Sequence, residues 1–586
     1  MKAFKYLIPA IVLLLSVSCS HRLKDGEYSL TLLTTNDVHG HYFDSTYTGN
    51  RLSKSLYAVN LAVDSVRTVK GADRVILVDA GDILPGDNAA YYFNYVDTLT
   101  PHIYPRMAKY MGYDAIAVGN HDVETGHRVY DRIAAQLKEY GIPFLAGNAI
   151  RNDNGEPYFP LYTVLRKGGL KVAVLGYTNP NMKAWLNESV WSGMHFESLI
   201  PLVQSDVDKV IAKEKPHVVI VAVHSGTGSG KGNMLESQGL DLLKSLKNVD
   251  FLICSHDHRP YTESADGICL INSGSHCRNL GLGEITVRVK DGQIVGKDLS
   301  CGLIPIREAA VDTKMQAEFH SDYEAVKAFT LREVGELKSD LLTRDAFCGM
   351  SDYINLVHTL QINCSPAQIS FAAPLTYNGS VKAGTLIYND LFTIYPFENQ
   401  LYVVRMTGEE IRNYLEYSYD NWIQTIRSSE DHVLKIRQRD DARTGQKGWS
   451  FVARSYNFDS AAGLNYTVDV TKPFGQRIAI ASMASGEPFV MDKEYFVAMT
   501  SYRASGGGGL LHEGAGVDTD KIDERVVSRY PEIRDILYNY LMDMGSIDPA
   551  VTGDPVRIGT WKFVPEKMAG EALSRDMELL FGKRSE

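Results

Sequence analysis

Five times between residues 29 and 258, a short apolar run rich in β-branched residues breaks off into side chains that bind cations. These clusters are Asp37-Val38-His39, Gly81-Asp82, Gly119-Asn120-His121-Asp122, His224-Ser225-Gly226 and Ser255-His256-Asp257-His258. The apolar runs at 29–34, 74–78, 115–118, 172–175, 217–223 and 251–254 read as strands, with amphipathic helices between them at 51–70, 103–111, 128–140 and 199–214. That alternation predicts a layered α/β domain. Open sheets of this kind gather their ligands beyond the carboxyl ends of the strands. Five of the six runs lead straight into a cluster, so residues far apart in sequence are expected to meet at one sheet edge.

The residue types specify the chemistry. Asp37 and His39 alternate about Val38, and at an extended strand end residues i and i+2 face the same way. Asp82 follows Gly81, which allows a tight turn, and a carboxylate is the natural bridge between two cations. Asn120 adds a neutral oxygen; His224, His256 and His258 add imidazoles. No cysteine belongs to the set, which suits two divalent ions of the Zn or Mn kind. Two such ions roughly 3.5–4 Å apart acidify a water and clamp phosphoryl oxygens. His121, next to Asn120, is the candidate to protonate a leaving oxygen.

At 586 residues the chain exceeds what one core organises. Its net charge of −11 leaves no footprint for duplex nucleic acid or an anionic membrane, although bound cations would reverse the field locally for a small anion. Lys2 and Lys5 precede an apolar run at 6–15 that is too short to span a bilayer, followed by Ser16-Val17-Ser18-Cys19. This resembles a bacterial lipoprotein signal with Cys19 as lipid acceptor, with simple secretion as the alternative. It implies an envelope protein, periplasmic or surface-exposed, that meets the membrane only through its lipid. The six later cysteines permit disulfides but show no Cys-x-x-Cys spacing. The expected layout is a signal at 1–19, a catalytic domain at 27–310 and a connector helix at 313–338. A substrate-specificity domain at 339–564 and a terminal helix and tail at 565–586 complete it.

Asp-x-His, Gly-Asp, Gly-Asn-His-Asp, a lone His and His-x-His together resemble the calcineurin-like metallophosphoesterases. The two-domain layout is similar to their secreted branch of 5′-nucleotidases and 2′,3′-cyclic-nucleotide 2′-phosphodiesterase/3′-nucleotidases. The resemblance implies a four-layer α/β/β/α sandwich followed by an α+β nucleotide-recognition domain. It implies that Asp37, His39, Asp82 and His258 hold one ion, and that Asp82, Asn120, His224 and His256 hold the other. His121 becomes the catalytic acid, oriented by Glu124 in the family's usual slot, with Asp122 the competing carboxylate. Tyr502, Phe458, Tyr456, Arg503 and Gly506 become the substrate-binding residues of the second domain, where aromatic side chains can sandwich a base. Two departures from the 5′-nucleotidase pattern, Gly508 in place of an Asp and Phe371-Ala372-Ala373-Pro374 in place of an arginine-bearing segment, resemble the cyclic phosphodiesterase branch. The implied reaction is hydrolysis of 2′,3′-cyclic nucleotides to 3′-nucleotides and then to nucleosides. The alternatives are a 5′-nucleotidase or UDP-sugar hydrolase, and a catalytically silent nucleotide-binding surface protein. Oligomeric state has no signature in the sequence.

Overall fold

The strand Gly26–Thr35 shows how the first domain is layered. Leu30 and Leu32 face one way, into an apolar layer shared with Val172, Val174, Ile220 and Ile253; Leu33 faces the other, toward helices. That is the period of two that a strand imposes on its side chains. The computed structural model describes residues 23–582 apart from 46, 50–53, 187, 233, 308–310, 398 and 441–446. The targeting segment and Cys19 lie outside the described residues.

Two six-stranded sheets pack face to face. Gly26–Thr35, Val75–Asp79, Ala115–Ala117 and Phe144–Leu145 run parallel in the first, extended by the antiparallel pair Asn279–Lys290 and Gln293–Pro305. Leu170–Tyr177, Val218–Val223, Phe251–Ile253 and Ile268–Asn272 run parallel in the second, with Tyr162–Lys167 and Tyr261–Ala265 antiparallel at its two edges. Helices Leu56–Lys70, Ile103–Met111 and His127–Glu139 bury their apolar faces on the outer side of the first sheet, and Leu199–Glu214 with Gly239–Ser245 do so on the second. The domain is the expected α/β/β/α sandwich.

The expected connector helix at 313–338 is two helices, Thr313–Glu318 and His320–Thr330, broken at Phe319. Residues Glu333–Leu337 instead form a strand that pairs with Gly384–Ile387 and Ser546–Ile547 of the second domain. The buried residues Val334 and Leu337 are three apart, a spacing that also suits a helix, and the register shifts between Glu333 and Gly335, so periodicity did not announce this strand.

The second domain centres on a five-stranded sheet ordered Ser460–Ala462, Ile369–Ala372, Glu494–Thr500, Gln400–Thr407, Val526–Glu532. The helix Gly408–Trp422 packs Tyr414, Tyr419 and Trp422 into an aromatic core on it. The final helix, Glu566–Phe581, closes that core with Ala569, Ala572 and Leu573. Polar contacts join the domains: Asn88 Nδ2 donates to Asn389 Oδ1 at 2.9 Å and the Tyr91 hydroxyl to Asp535 at 2.8 Å. The six described cysteines are free thiols, and no helix among the described residues is long and apolar enough to cross a membrane.

Candidate metal centre and substrate cavity

All seven predicted ligands converge at the carboxyl ends of the parallel strands. Backbone bonds lace the strand ends together: the Asp37 amide donates to Gly81 O at 2.9 Å, the His39 amide to Asp82 O at 3.0 Å. Two glycines permit the approach. Gly81 has φ 93° and the site of its missing Cβ is 2.5 Å from the Gly119 nitrogen, while a Cβ on Gly119 would sit 2.1 Å from Asp82 Oδ1. Asp37, His39, Asp82, His256 and His258 all have left-handed φ between 48° and 68°. L-residues with side chains seldom adopt that region, and such strain concentrates at functional sites.

Asp37, His39 and His258 form one group of donor atoms; Asp82, His224 and His256 form a second, each spanning less than 4.8 Å. Asp82 Oδ2 lies 3.0 Å from His224 Nε2 and 4.0 Å from His39 Nε2, between the two groups. Asn120 joins the second group, its Oδ1 2.9 Å from His256 Nδ1. The His224 tautomer is placed by its Nδ1–H, which donates to Ala80 O at 2.8 Å and leaves Nε2 facing Asp82.

Donor chemistry and packing fit divalent cations. Nε2 of His39 and Nε2 of His258 face each other at 3.0 Å, and Asp82 Oδ2 and His224 Nε2 are buried without a hydrogen bond of good geometry. Buried polar atoms left so are costly, and a cation is the partner that satisfies carboxylate and imidazole lone pairs together. Burial drives His39 well below the usual imidazole range and His256 down to about 3, favouring the neutral, ligating form. Burial opposes charge on His224 as well, but the Asp82 carboxylate pushes it up to about 9.

His121 stands beside this centre, its amide donating to Asp82 Oδ1 at 2.8 Å. Its Nδ1 is 2.5 Å from Glu124 Oε2, so Glu124 is the carboxylate that orients the ring. Asp122 does something else. It is buried and accepts from the amides of Asp82, Ile83, Leu84 and Gly119, at 2.8–3.1 Å, which clamps the two ligand loops to each other. Asp122 is therefore corrected from catalytic candidate to loop clamp.

A cavity of about 590 Å³ runs from Asp82, Asn120, His121 and His256 to Phe397, Arg454, Tyr456 and Tyr502 of the second domain. Tyr456 stands between the other two aromatic rings, 6.2 Å from Phe397 and 6.4 Å from Tyr502, edge-on to both. Phe458 does not belong here. It is 0% exposed and lies parallel to Trp422 at 5.6 Å, a core residue. The turn Ser455–Asn457 sends Tyr456 to the cavity and Phe458 inward. Arg503 borders the cavity but is buried and fully engaged: Nε and Nη2 donate to Asp459 at 2.9 and 2.8 Å, Nη1 to Asn457 and Gly507 at 2.9 Å, and Nη2 to Tyr456 O. It ties the Tyr502 loop to the Tyr456 loop and has no donor to spare for phosphate. Gly506, with φ 94°, turns that loop and is not among the residues lining the cavity.

Sequence reasoning missed Phe397, Arg454 and Trp185. The first two flank turns before strands, where Tyr395-Pro396-Phe397 gave an aromatic, proline-marked signal. Trp185 had no motif around it.

Comparison with known proteins finds two family matches that follow one another along the chain. The calcineurin-like phosphoesterase family matches residues 30–260, and the 5′-nucleotidase C-terminal domain family matches residues 333–513. The 2′,3′-cyclic-nucleotide 2′-phosphodiesterase/3′-nucleotidase of Haemophilus influenzae is 22% identical, over 92% of this chain and 88% of its own length. The trifunctional nucleotide phosphoesterase YfkN of Bacillus subtilis is also 22% identical over 94% of this chain, which spans 40% of that longer protein. A crystal structure from Staphylococcus aureus, determined with alpha-ketoglutarate, superposes with a TM-score of 0.73 at 19% identity, covering 91% of this chain and 99% of that one.

Proposed function

The chain belongs to the calcineurin-like phosphoesterases that carry a 5′-nucleotidase C-terminal domain, and from that premise we propose that it hydrolyses nucleotide phosphoesters with the help of divalent cations. The observation that carries the reading is the continuous cavity with a cation-binding cluster at one end and aromatic rings at the other. Asp37, His39, Asp82 and His258 would hold one ion; Asp82, Asn120, His224 and His256 the other, with Zn or Mn matching the nitrogen and oxygen donors. Bound there, the ions would supply positive charge and Lewis acidity to a phosphoryl group.

The chain's own groups do the rest. His121 faces the cavity and carries a proton for the leaving oxygen, while Glu124 fixes its ring plane. Tyr502, Tyr456 and Phe397 bind the base, and base–aromatic stacking of about 1–3 kcal/mol tolerates any base. Asp122 keeps the ligand loops in register.

We favour 2′,3′-cyclic nucleotides, then 3′-nucleotides, over 5′-nucleotides. Gly508 has φ 77°, and a Cβ there would lie 2.6 Å from Asn457 Oδ1 and 2.8 Å from Arg503 Nη1. The loop thus has no room for a carboxylate that would claim the ribose hydroxyls, and that edge is left to face the metal end. Turnover of 2′,3′-cAMP, 3′-AMP and 5′-AMP by metal-loaded protein tests the order; fast hydrolysis of 5′-AMP alone would reverse it. The same reading places the enzyme at the bacterial envelope, tethered through Cys19, on the sequence pattern alone. Release of a Cys19→Ala variant from the membrane fraction is the expected result, and its retention would remove the tether.

A further inference from the structure

One wall of the cavity is explained neither by cation binding nor by the aromatic loops of the second domain. Trp185 closes the one-turn helix Met182–Trp185 of the phosphoesterase domain. Its indole lies nearly parallel to the His256 imidazole, centres 5.0 Å apart and planes inclined by 22°. The turn is firmly built. Met182 is buried, the Trp191 indole donates to Leu186 O at 3.1 Å, and the Asn181 amide donates to Asn179 Oδ1 at 3.0 Å. Asn179 Nδ2 in turn donates to Glu236 O at 3.0 Å, so the Trp185 turn and the loop that follows His224 form one unit. Trp185, Leu186 and Glu236 all line the cavity. Across it the Ser505 hydroxyl, three residues beyond Tyr502, gives its proton to Ser501 O at 2.8 Å and lies 3.4 Å from Trp185 O. Trp185 therefore stands where the two domains meet around the cavity.

We infer that Trp185, with Glu236 lining the same cavity, is a specificity determinant that contacts the nucleoside of the substrate from the catalytic domain, so that both domains grip the same ligand. The inference rests on the nucleotide reading above. An indole held on one face by a packed imidazole has little rotamer freedom left to lose, so contact with a ligand costs little further ordering. Its remaining ring face is flat and apolar, suited to a base or a ribose face. Glu236 lines the same cavity, where its carboxylate can accept from a hydroxyl or amine of the nucleoside and would repel a phosphate.

A purely structural role, packing His256, predicts a different outcome, and substrate pairs separate the two. The assay compares kcat/KM for the preferred nucleotide with kcat/KM for bis(4-nitrophenyl) phosphate, and uses adenosine as an inhibitor of the latter reaction. For Trp185→Ala the ratio of the two kcat/KM values is expected to fall about 5- to 100-fold, with the adenosine Ki rising in step. Trp185→Phe is expected to recover part of both, and Glu236→Gln to move the ratio in the same direction by less. Equal losses on both substrates with an unchanged adenosine Ki would overturn the inference, leaving Trp185 as a support for His256. Wild-type protein that cleaves bis(4-nitrophenyl) phosphate, cleaves no nucleotide and ignores adenosine would overturn the nucleotide reading itself, so the two failures are distinguishable.

Discussion

Phe458 and Tyr502 look interchangeable as base-stacking residues in the sequence, but the structure gives them opposite tasks that one experiment can separate. Phe458 is fully buried, parallel to Trp422 and edge-on to Phe451 at 5.1 Å. Truncation to alanine removes that packing and leaves a cavity, a change that costs about 3–5 kcal/mol. Against a domain stability of about 5–15 kcal/mol this is about a fifth of the total or more. Tyr502 is half-buried at the cavity, so Tyr502→Ala should cost about 1 kcal/mol of stability. Loss of stacking, about 1–3 kcal/mol, should raise KM for a nucleotide about 5- to 150-fold. Urea unfolding and steady-state kinetics on both variants give four numbers. The expected pattern is a large shift in unfolding midpoint for Phe458→Ala and a large shift in KM for Tyr502→Ala. A Phe458→Ala variant of wild-type stability with raised KM would refute the assignment of cavity and core.

Three further outcomes follow from single contacts. His121→Ala should lower kcat about 10²- to 10⁴-fold, as loss of a general acid does, and Glu124→Gln should lower it less, with KM little changed in both; an Asp122→Asn variant that lost kcat without losing stability would contradict the clamp role. Asp459→Ala strands the buried Arg503 cation and should destabilise the second domain by about 3–5 kcal/mol in urea, whereas a nearly neutral effect would show that Arg503 finds water or another partner. His358 is buried between the hydroxyls of Ser370 and Ser460, and burial lowers it to about 3. The unfolded chain binds its proton near pH 6.5 and the folded chain does not, so stability is fully present above 6.5 and falls as pH drops toward 3, by up to about 1.4 kcal/mol per unit. His358→Gln should flatten that slope, as read by urea midpoints between pH 7 and 4, and an unaltered slope would assign it to other groups.

The metal centre was legible because its residues obey backbone geometry. Each ligand cluster follows a strand whose length and β-branched composition mark its end, and parallel sheets bring such ends to one edge. The helices Ile103–Met111 and Leu199–Glu214 have the bounds that their periodicity predicts. The substrate end was less legible. Tyr456 and Phe458 are two residues apart, and in a short 3₁₀ turn that spacing carries no rule about which side chain faces inward. Arg503 reads as a phosphate ligand until Asp459, 44 residues away, is seen to consume it. Glu124 and Asp122 could be separated only with coordinates, because a helix start offers several carboxylates to one imidazole. Trp185 reaches the cavity because a turn from the catalytic domain happens to meet the Ser505 loop, a contact across 320 residues that no local pattern announces.

The central claim is that Asp82 joins two cation sites built from these seven ligands. Anomalous diffraction from crystals of Mn- or Zn-loaded protein measures it directly. Two peaks are predicted, one bounded by Asp37, His39 and His258, the other by Asn120, His224 and His256, with the Asp82 carboxylate between them and the second peak lost in His224→Ala. A single peak elsewhere in the chain, or none at these side chains in active protein, would contradict the account.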